Sequence, residues 1–201
     1  MRISIEGNIG SGKTFYLDKL KKDNYAIIHD LIDSQTQIST WLKKYDSNPD
    51  RYSFGLQMQI LQDYIKLPYV KNNINIYESS PYTLKNVYGK ILYDEKHLDK
   101  DEYLLHNSYI NDFGWMPDII IYLYCDPEIC YERVKNKSRV SCDYFKKLHL
   151  INERTFDDLN CSIPIYKVNS QEDTNNVYKN IKTICDEIAK TSKFPISINS
   201  S

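Results

Sequence analysis

Residues 7–14 read Gly-Asn-Ile-Gly-Ser-Gly-Lys-Thr, and this octapeptide constrains the fold more than any other stretch of the chain. It satisfies G-x-x-x-x-G-K-[ST] with both ends intact. Ile3-Ser4-Ile5 ahead of it has strand character, and residues 13–22 behind it carry a helical pattern. A strand, a glycine-rich turn and a helix make a cradle whose backbone N–H groups converge on phosphate oxygens. The helix adds its positive N-terminal end. Gly7, Asn8, Ile9, Gly10, Ser11 and Gly12 supply that backbone. Lys13 is expected to reach the β- and γ-phosphates, and Thr14 to offer a hydroxyl to Mg²⁺. The expected ligand is a nucleoside triphosphate with Mg²⁺.

The remaining pattern fits one architecture. Strand-like runs fall at 25–28, at Ile74-Asn75-Ile76-Tyr77, at 118–124 and at 163–168. The run at 118–124 is apolar on both faces, as a central parallel strand requires. Pro164 predicts an edge position or a strand start for the last run. Helical spacing is expected over 50–66, 83–93, 101–113, 127–137, 143–158 and 174–190. Alternation of this kind predicts an α/β fold with about five parallel strands and helices on both faces. Residues 1–190 are expected to form a single domain, with 191–201 as a flexible tail.

Composition removes several alternatives. The chain has 201 residues and a formal charge of −1, so a nucleic-acid binder held by bulk positive charge is excluded. The longest apolar run, Ile119 to Cys125, falls far short of the roughly 20 residues a membrane span needs. Five cysteines, an odd number with no CxxC pair, argue against a disulfide framework or zinc ribbon. A reducing cytoplasmic setting is expected. Only five of the 26 basic residues are Arg, so each Arg is worth locating.

A phosphate loop admits GTPases, motors and small kinases. Asn136-Lys137-Ser138-Arg139 begins like the N-K-x-D guanine box but ends in Arg. A small kinase needs a general base, an acceptor pocket and cations over the transferring phosphate. Asp30 follows the second strand and Glu78 the third. Carboxyl ends of strands line the ligand crevice of an open parallel sheet. One acid could take a proton while the other holds Mg²⁺ through water. Arg133 and Lys137 share a helix face, and Arg139 follows, so the three can clamp a phosphoryl group.

With these parts in order, the chain resembles the deoxynucleoside kinases of the deoxycytidine, deoxyguanosine and mitochondrial thymidine kinase group. The resemblance runs from Ile3 to about Val168. It rests on Ile5-Glu6-Gly7-Asn8-Ile9-Gly10-Ser11-Gly12-Lys13, on Tyr45 followed by 51–57 (RYSFGLQ), and on Tyr77-Glu78-Ser79-Ser80. Residues 117–123 (PDIIIYL), 127–133 (PEICYER) and 143–149 (DYFKKLH) complete it. It implies the P-loop NTPase, nucleoside kinase fold and transfer of phosphate from ATP to a deoxynucleoside 5′-hydroxyl, in nucleotide salvage. Asp30 matches the catalytic Glu that deprotonates the 5′-hydroxyl, Gln57 the amide that pairs with the base, and Phe54 a residue near the stacked base. Tyr45 and Asp143 match the positions on the sugar 3′-hydroxyl. Glu78 matches the acid close to Mg²⁺, and Arg133, Lys137 and Arg139 match a lid near 133–142. A homodimer through helices near 40–66 and 83–113 is also implied. The compact form suits a member from a large DNA virus.

Four departures stand out. Asp30 is a methylene shorter than the usual Glu, and Ser79 stands where the family has Arg. Lys137 takes an Arg position and loses bidentate contact. The lid is short, with no acidic pair after Arg139. Slowed but retained activity is expected. Tyr64 and Leu84 replace a charged Arg and Asp of the cytidine- and purine-selective members, which leans the reading towards thymidine and deoxycytidine. Two other readings stay open: a thymidylate-type nucleoside monophosphate kinase, with Arg51 as the spare arginine, and a catalytically weak nucleotide-binding module that regulates a partner.

Overall fold

The computed structural model describes residues 1–23, 27–29, 35–136, 141–157 and 163–192. The chain divides into two compact units. The first comprises Met1–His29, Tyr69–Ser79 and Pro117–Ser201; the second comprises Asp30–Pro68 and Ser80–Met116.

The first unit is built on five parallel strands: β1 (Arg2–Gly7), β2 (Ile27–His29), β3 (Asn75–Glu78), β4 (Ile119–Tyr124) and β5 (Ile165–Asn169). Their spatial order is β2-β3-β1-β4-β5. The apolar run at 118–124 is β4, one place in from the edge, and β5 is the edge strand its proline suggested. Pro164 sits just ahead of β5 and uses only its carbonyl, which accepts from Ile120 N at 3.0 Å. Among the described residues four helices belong to this unit: α1 (Lys13–Lys22), α7 (Pro127–Val134), α8 (Cys142–Asp157) and α9 (Thr174–Ser192). Alternate strand residues point to opposite faces. Ile3, Ile5, Ile76, Ile121 and Leu123 form a core with Leu17 and Leu20 of α1 and Val177, Ile181 and Ile188 of α9. On the other face Tyr122 packs its ring 4.7 Å from Phe156 of α8 and donates its hydroxyl to Glu153 at 2.6 Å. Helices therefore cover both faces, as alternation predicts.

The second unit is helical: α2 (Gln35–Ser47), α3 (Pro49–Lys66), α4 (Pro81–Thr83), a π-helical segment (Leu84–Gly89), α5 (Lys90–Asp94) and α6 (Lys100–Phe113). Local chemistry sets several starts. Asn48 accepts from Arg51 N at 3.2 Å, with Pro49 at the first helical position. Asp99 and Glu102 cap α6 reciprocally. The sequence reading contains no helix over 35–47, yet Ile38, Trp41, Leu42 and Tyr45 recur there at helical spacing. Trp41 lies so near α3 that a Cβ on Gly55 would approach its ring to 2.3 Å. The helix expected at 83–93 is interrupted by the π turn, which ends at Gly89, where a Cβ would come within 2.9 Å of the His106 ring.

His106 is fully buried. Desolvation, opposed by a hydrogen bond with the Asn107 side chain and aided by the charge of Lys85, pushes it down to about 4 from an ordinary 6.5. The unfolded chain therefore binds the extra proton between these values. Stability contributed by the neutral ring is complete above pH 6.5 and is lost as the pH falls towards 4, about 3 kcal/mol in all. Denaturant titrations between pH 7 and pH 4 should show this slope in the wild type and a flatter one in His106→Leu.

Candidate active site

The phosphate loop joins β1 to α1, and its shape depends on two glycines. Gly10 has φ +80°, and a Cβ there would sit 2.4 Å from the carbonyl oxygen of Cys130. Gly12 has φ +101° and opens α1. Both conformations are strained for any residue with a Cβ. Asn8 fastens the loop from below. Its Nδ2 donates to Phe145 O of α8 at 3.1 Å, and its Oδ1 accepts from Ile9 N at 2.8 Å. The Oγ of Ser11 is buried without a hydrogen-bond partner.

Lys13 curls back over the loop and donates to Gly7 O at 2.8 Å and Asn8 O at 3.0 Å. Desolvation holds its ammonium below the usual lysine value, while the charges of Glu78 and Glu6 act the other way. A partly dehydrated cation among carbonyl oxygens is poised to exchange them for phosphate oxygens.

Thr14 and Glu78 come together. Thr14 Oγ1 donates to Glu78 Oε1 at 2.7 Å. The sheet explains this contact: Glu78 ends β3 in register with Ile5 of β1, two residues before the loop. A hydroxyl and a carboxylate are hard oxygen donors, the kind Mg²⁺ takes with phosphates and retained waters. These two residues fit that metal. Among the described residues no cluster of three or more His, Cys, Asp or Glu forms a metal cage.

Arg133, near the end of α7, reaches the loop. Its Nη1 donates to Gly10 O at 3.3 Å and its Nη2 to Ser170 O at 2.9 Å. Asp143 stands exposed in the first turn of α8. Asp30, Lys137 and Arg139 lie outside the described residues.

One residue escaped the sequence reading. Glu6 is fully buried and accepts from Ser79 Oγ at 2.7 Å. Ser79 takes φ +64° immediately after Glu78, and its N–H bonds Ile5 O at 3.1 Å. A carboxylate in a strand buried on both faces was the available signal. The serine that replaces the family's arginine thus has a partner of its own.

In the second unit, α3 carries Phe54, half-buried, and Gln57, whose buried Oε1 has no hydrogen-bond partner. Tyr45 of α2 is half-buried, and burial raises its hydroxyl above the ordinary tyrosine value. Tyr64 and Leu84 are core residues, packed with Leu61 and Ile110. Trp115 covers Tyr64 edge-on and donates Nε1 to its carbonyl at 3.0 Å.

A family model described as deoxynucleoside kinase matches residues 3–193. The chain belongs to the deoxynucleoside kinase family. The kinase is 30% identical over 189 residues to a probable deoxycytidine kinase of fowlpox virus (strain NVSL), covering 86% of this chain and 80% of that protein. It is 26% identical over 221 residues to the mitochondrial deoxyguanosine kinase of Xenopus laevis, covering 87% and 83% of the two chains. Human deoxycytidine kinase is 24% identical over 237 residues, covering 94% and 91%. Among solved structures, a deoxyadenosine kinase from M. mycoides with products dCMP and a flexible dCDP bound superposes with a TM-score of 0.79. It is 18% identical and covers 94% of this chain and all of that one. The likeness shows the nucleoside kinase fold. The protein is a phosphotransferase that phosphorylates deoxynucleosides, as its family and its relatives' names indicate. Among the described residues no helix is long and apolar enough to cross a membrane.

Proposed function

We propose that this kinase uses ATP and Mg²⁺ to phosphorylate the 5′-hydroxyl of a pyrimidine deoxynucleoside, thymidine or deoxycytidine, within a single kinase domain spanning residues 1–190. The observation that carries the donor side is the phosphate loop with Lys13 folded inward and the Thr14–Glu78 contact of 2.7 Å beside it. Bound Mg²⁺, held by Thr14 and Glu78, would offset phosphate charge. Lys13, Arg133, Lys137 and Arg139 stabilise the charge that spreads over the transferring phosphoryl group. Asp30 takes the proton of the 5′-hydroxyl.

On the acceptor side, Gln57 pairs with the base edge, since a side-chain amide offers both a donor and an acceptor. Its partnerless buried Oε1 supports this role. Phe54 lies against the base, and Tyr45 and Asp143 hold the 3′-hydroxyl. Tyr64 and Leu84 leave no buried charge to be stranded by a thymine methyl, which supports the pyrimidine preference. Assays with ATP, Mg²⁺ and each of the four deoxynucleosides should give the highest kcat/KM with thymidine or deoxycytidine. Preference for deoxyguanosine would overturn the base assignment. Turnover of thymidylate alone would make this a monophosphate kinase. Nucleotide binding without turnover on any acceptor would make it a binding module.

Gln57→Leu tests the amide in two directions. Loss of the base hydrogen bonds should lower kcat/KM roughly 10- to 100-fold, mainly through KM. Removing a partnerless buried oxygen should at the same time leave Tm unchanged or higher. A fall in Tm with KM unaltered would make Gln57 a structural residue.

We also infer a homodimer and a cytoplasmic setting. Leu105, Tyr109 and Phe113 form an exposed apolar stripe on α6 at i, i+4, i+8 spacing, beside the buried His106 and Ile110. A second copy of this chain would cover it. Sedimentation should report a dimer in the wild type and a monomer after Leu105→Glu with Phe113→Glu; a monomeric wild type would refute it. Cys125, Cys130, Cys142 and Cys185 are all free thiols, which supports the reducing compartment.

A further inference from the structure

Cys125 follows β4 directly, and Cys130 lies in the first half of α7, with its Sγ 3.8 Å from Cys125 O. Both are buried free thiols. Arg133 Nη1 stands 3.5 Å from Cys125 Sγ, and this is the same nitrogen that reaches Gly10 O of the phosphate loop at 3.3 Å. Cys130 touches the loop as well, since its carbonyl oxygen would lie 2.4 Å from a Cβ on Gly10. Two sulfurs, a guanidinium and the phosphate loop therefore share one cluster.

We propose that Cys125 and Cys130 form a redox pair, and that its oxidation to a disulfide releases Arg133 from the phosphate loop and weakens nucleotide binding. The electronic arrangement matches a nucleophile with its resolving partner. The hydrogen bond with Cys130, the charge of Arg133 and a hydrogen bond with Ser170 hold the Cys125 thiol below its ordinary value, against the opposing cost of burial. That hydrogen bond and burial push the Cys130 thiol up.

The oxidant is a peroxide. The Cys125 thiolate attacks one peroxide oxygen, the O–O bond breaks, and a sulfenic acid and hydroxide form; hydroxide takes up a proton to give water. The Cys130 sulfur then attacks Cys125 sulfur and the S–O bond breaks. The departing oxygen carries away the Cys130 proton in a second water. Two thiols and one peroxide become one disulfide and two waters. Arg133, whose guanidinium lies 3.5 Å from Cys125 Sγ, is an exposed residue, which offers a water-sized oxidant an approach beside it. After oxidation the Cys125 sulfur that Arg133 Nη1 contacts is bonded to Cys130 and can carry no negative charge. The new bond also ties α7 to the end of β4 beside Gly10.

The test is peptide mapping after brief exposure of the intact kinase to hydrogen peroxide, with free thiols then alkylated. Trypsin releases residues 101–133 as one peptide holding both cysteines, because no Lys or Arg lies inside it. This peptide should lose two hydrogens and escape alkylation. Cys142, the more accessible thiol, and Cys185, whose thiol burial pushes up to about 12, should remain alkylated. Affinity for a fluorescent ATP analogue should fall roughly tenfold, as for one lost charge-assisted contact, and dithiothreitol should restore it. Cys130→Ser should stop at a dimedone-reactive sulfenic acid on Cys125. Cys125→Ser should be indifferent to peroxide, its nucleotide affinity the same before and after exposure. Oxidation of Cys142 while Cys125 and Cys130 stay alkylatable would overturn the proposal, and so would a disulfide that leaves nucleotide affinity unchanged.

Discussion

Lys13→Ala should lower kcat/KM by roughly 10²–10³-fold, the loss typical when one preorganised donor to developing charge is removed. The expectation follows from position. The ammonium spans the loop from Gly7 O to Asn8 O, and its desolvation increases the strength of any anionic contact that replaces them. The fold should tolerate the change, because the loop is also held by Asn8 on Phe145 and by Ser11 N on Asn8 O at 3.1 Å. Steady-state kinetics with a Tm measurement checks both halves. Turnover near wild type would refute the assignment of this loop to the phosphate donor.

The second large effect is expected at Asp30. Asp30→Asn removes the only proton acceptor the proposal assigns to the 5′-hydroxyl, so kcat should drop by about 10²–10⁴-fold. An amide has no carboxylate to regain at high pH, so raising the pH should not rescue the variant. The KM for ATP should hold, since Asp30 has no part in the donor cradle. Should kcat survive, Glu78 would take over as the candidate base. Its Oε1 already accepts from Thr14, and the two roles are separable, because Glu78→Gln would then abolish transfer and Thr14→Ala would not.

The donor half was legible in the sequence because its information is local. Eight contiguous residues dictate the loop, and the flanking strand and helix need only short-range pattern. The central placement of 118–124 was legible too, since only a strand covered on both faces tolerates an unbroken apolar run. Glu6 was not, because its partner Ser79 is 73 residues away and meets it only through the β1–β3 register. The π turn at Leu84–Gly89 was also hidden. No local propensity or apolar spacing over 83–93 separates a π turn from an α turn. Helix α2 was missed for a different reason. Its apolar spacing is present, and so is a start signature, Ser34 with Gln37 three residues on, but both signals are short and were passed over. Tyr64 illustrates a partial reading. Its lack of charge was visible in the sequence, whereas its packing with Leu84, Leu61 and Ile110 required the fold.

The carbonyls of Gly7 and Asn8, which hold Lys13, are oxygen acceptors of the same kind as phosphate oxygens. The loop's own backbone therefore directs the ammonium. Nucleotide capture becomes an exchange of one set of oxygens for another, with little chain ordering to oppose it. Calorimetry of ATP binding should accordingly give the small heat-capacity change of a preformed lock, without the large negative value that accompanies a loop folding around its guest.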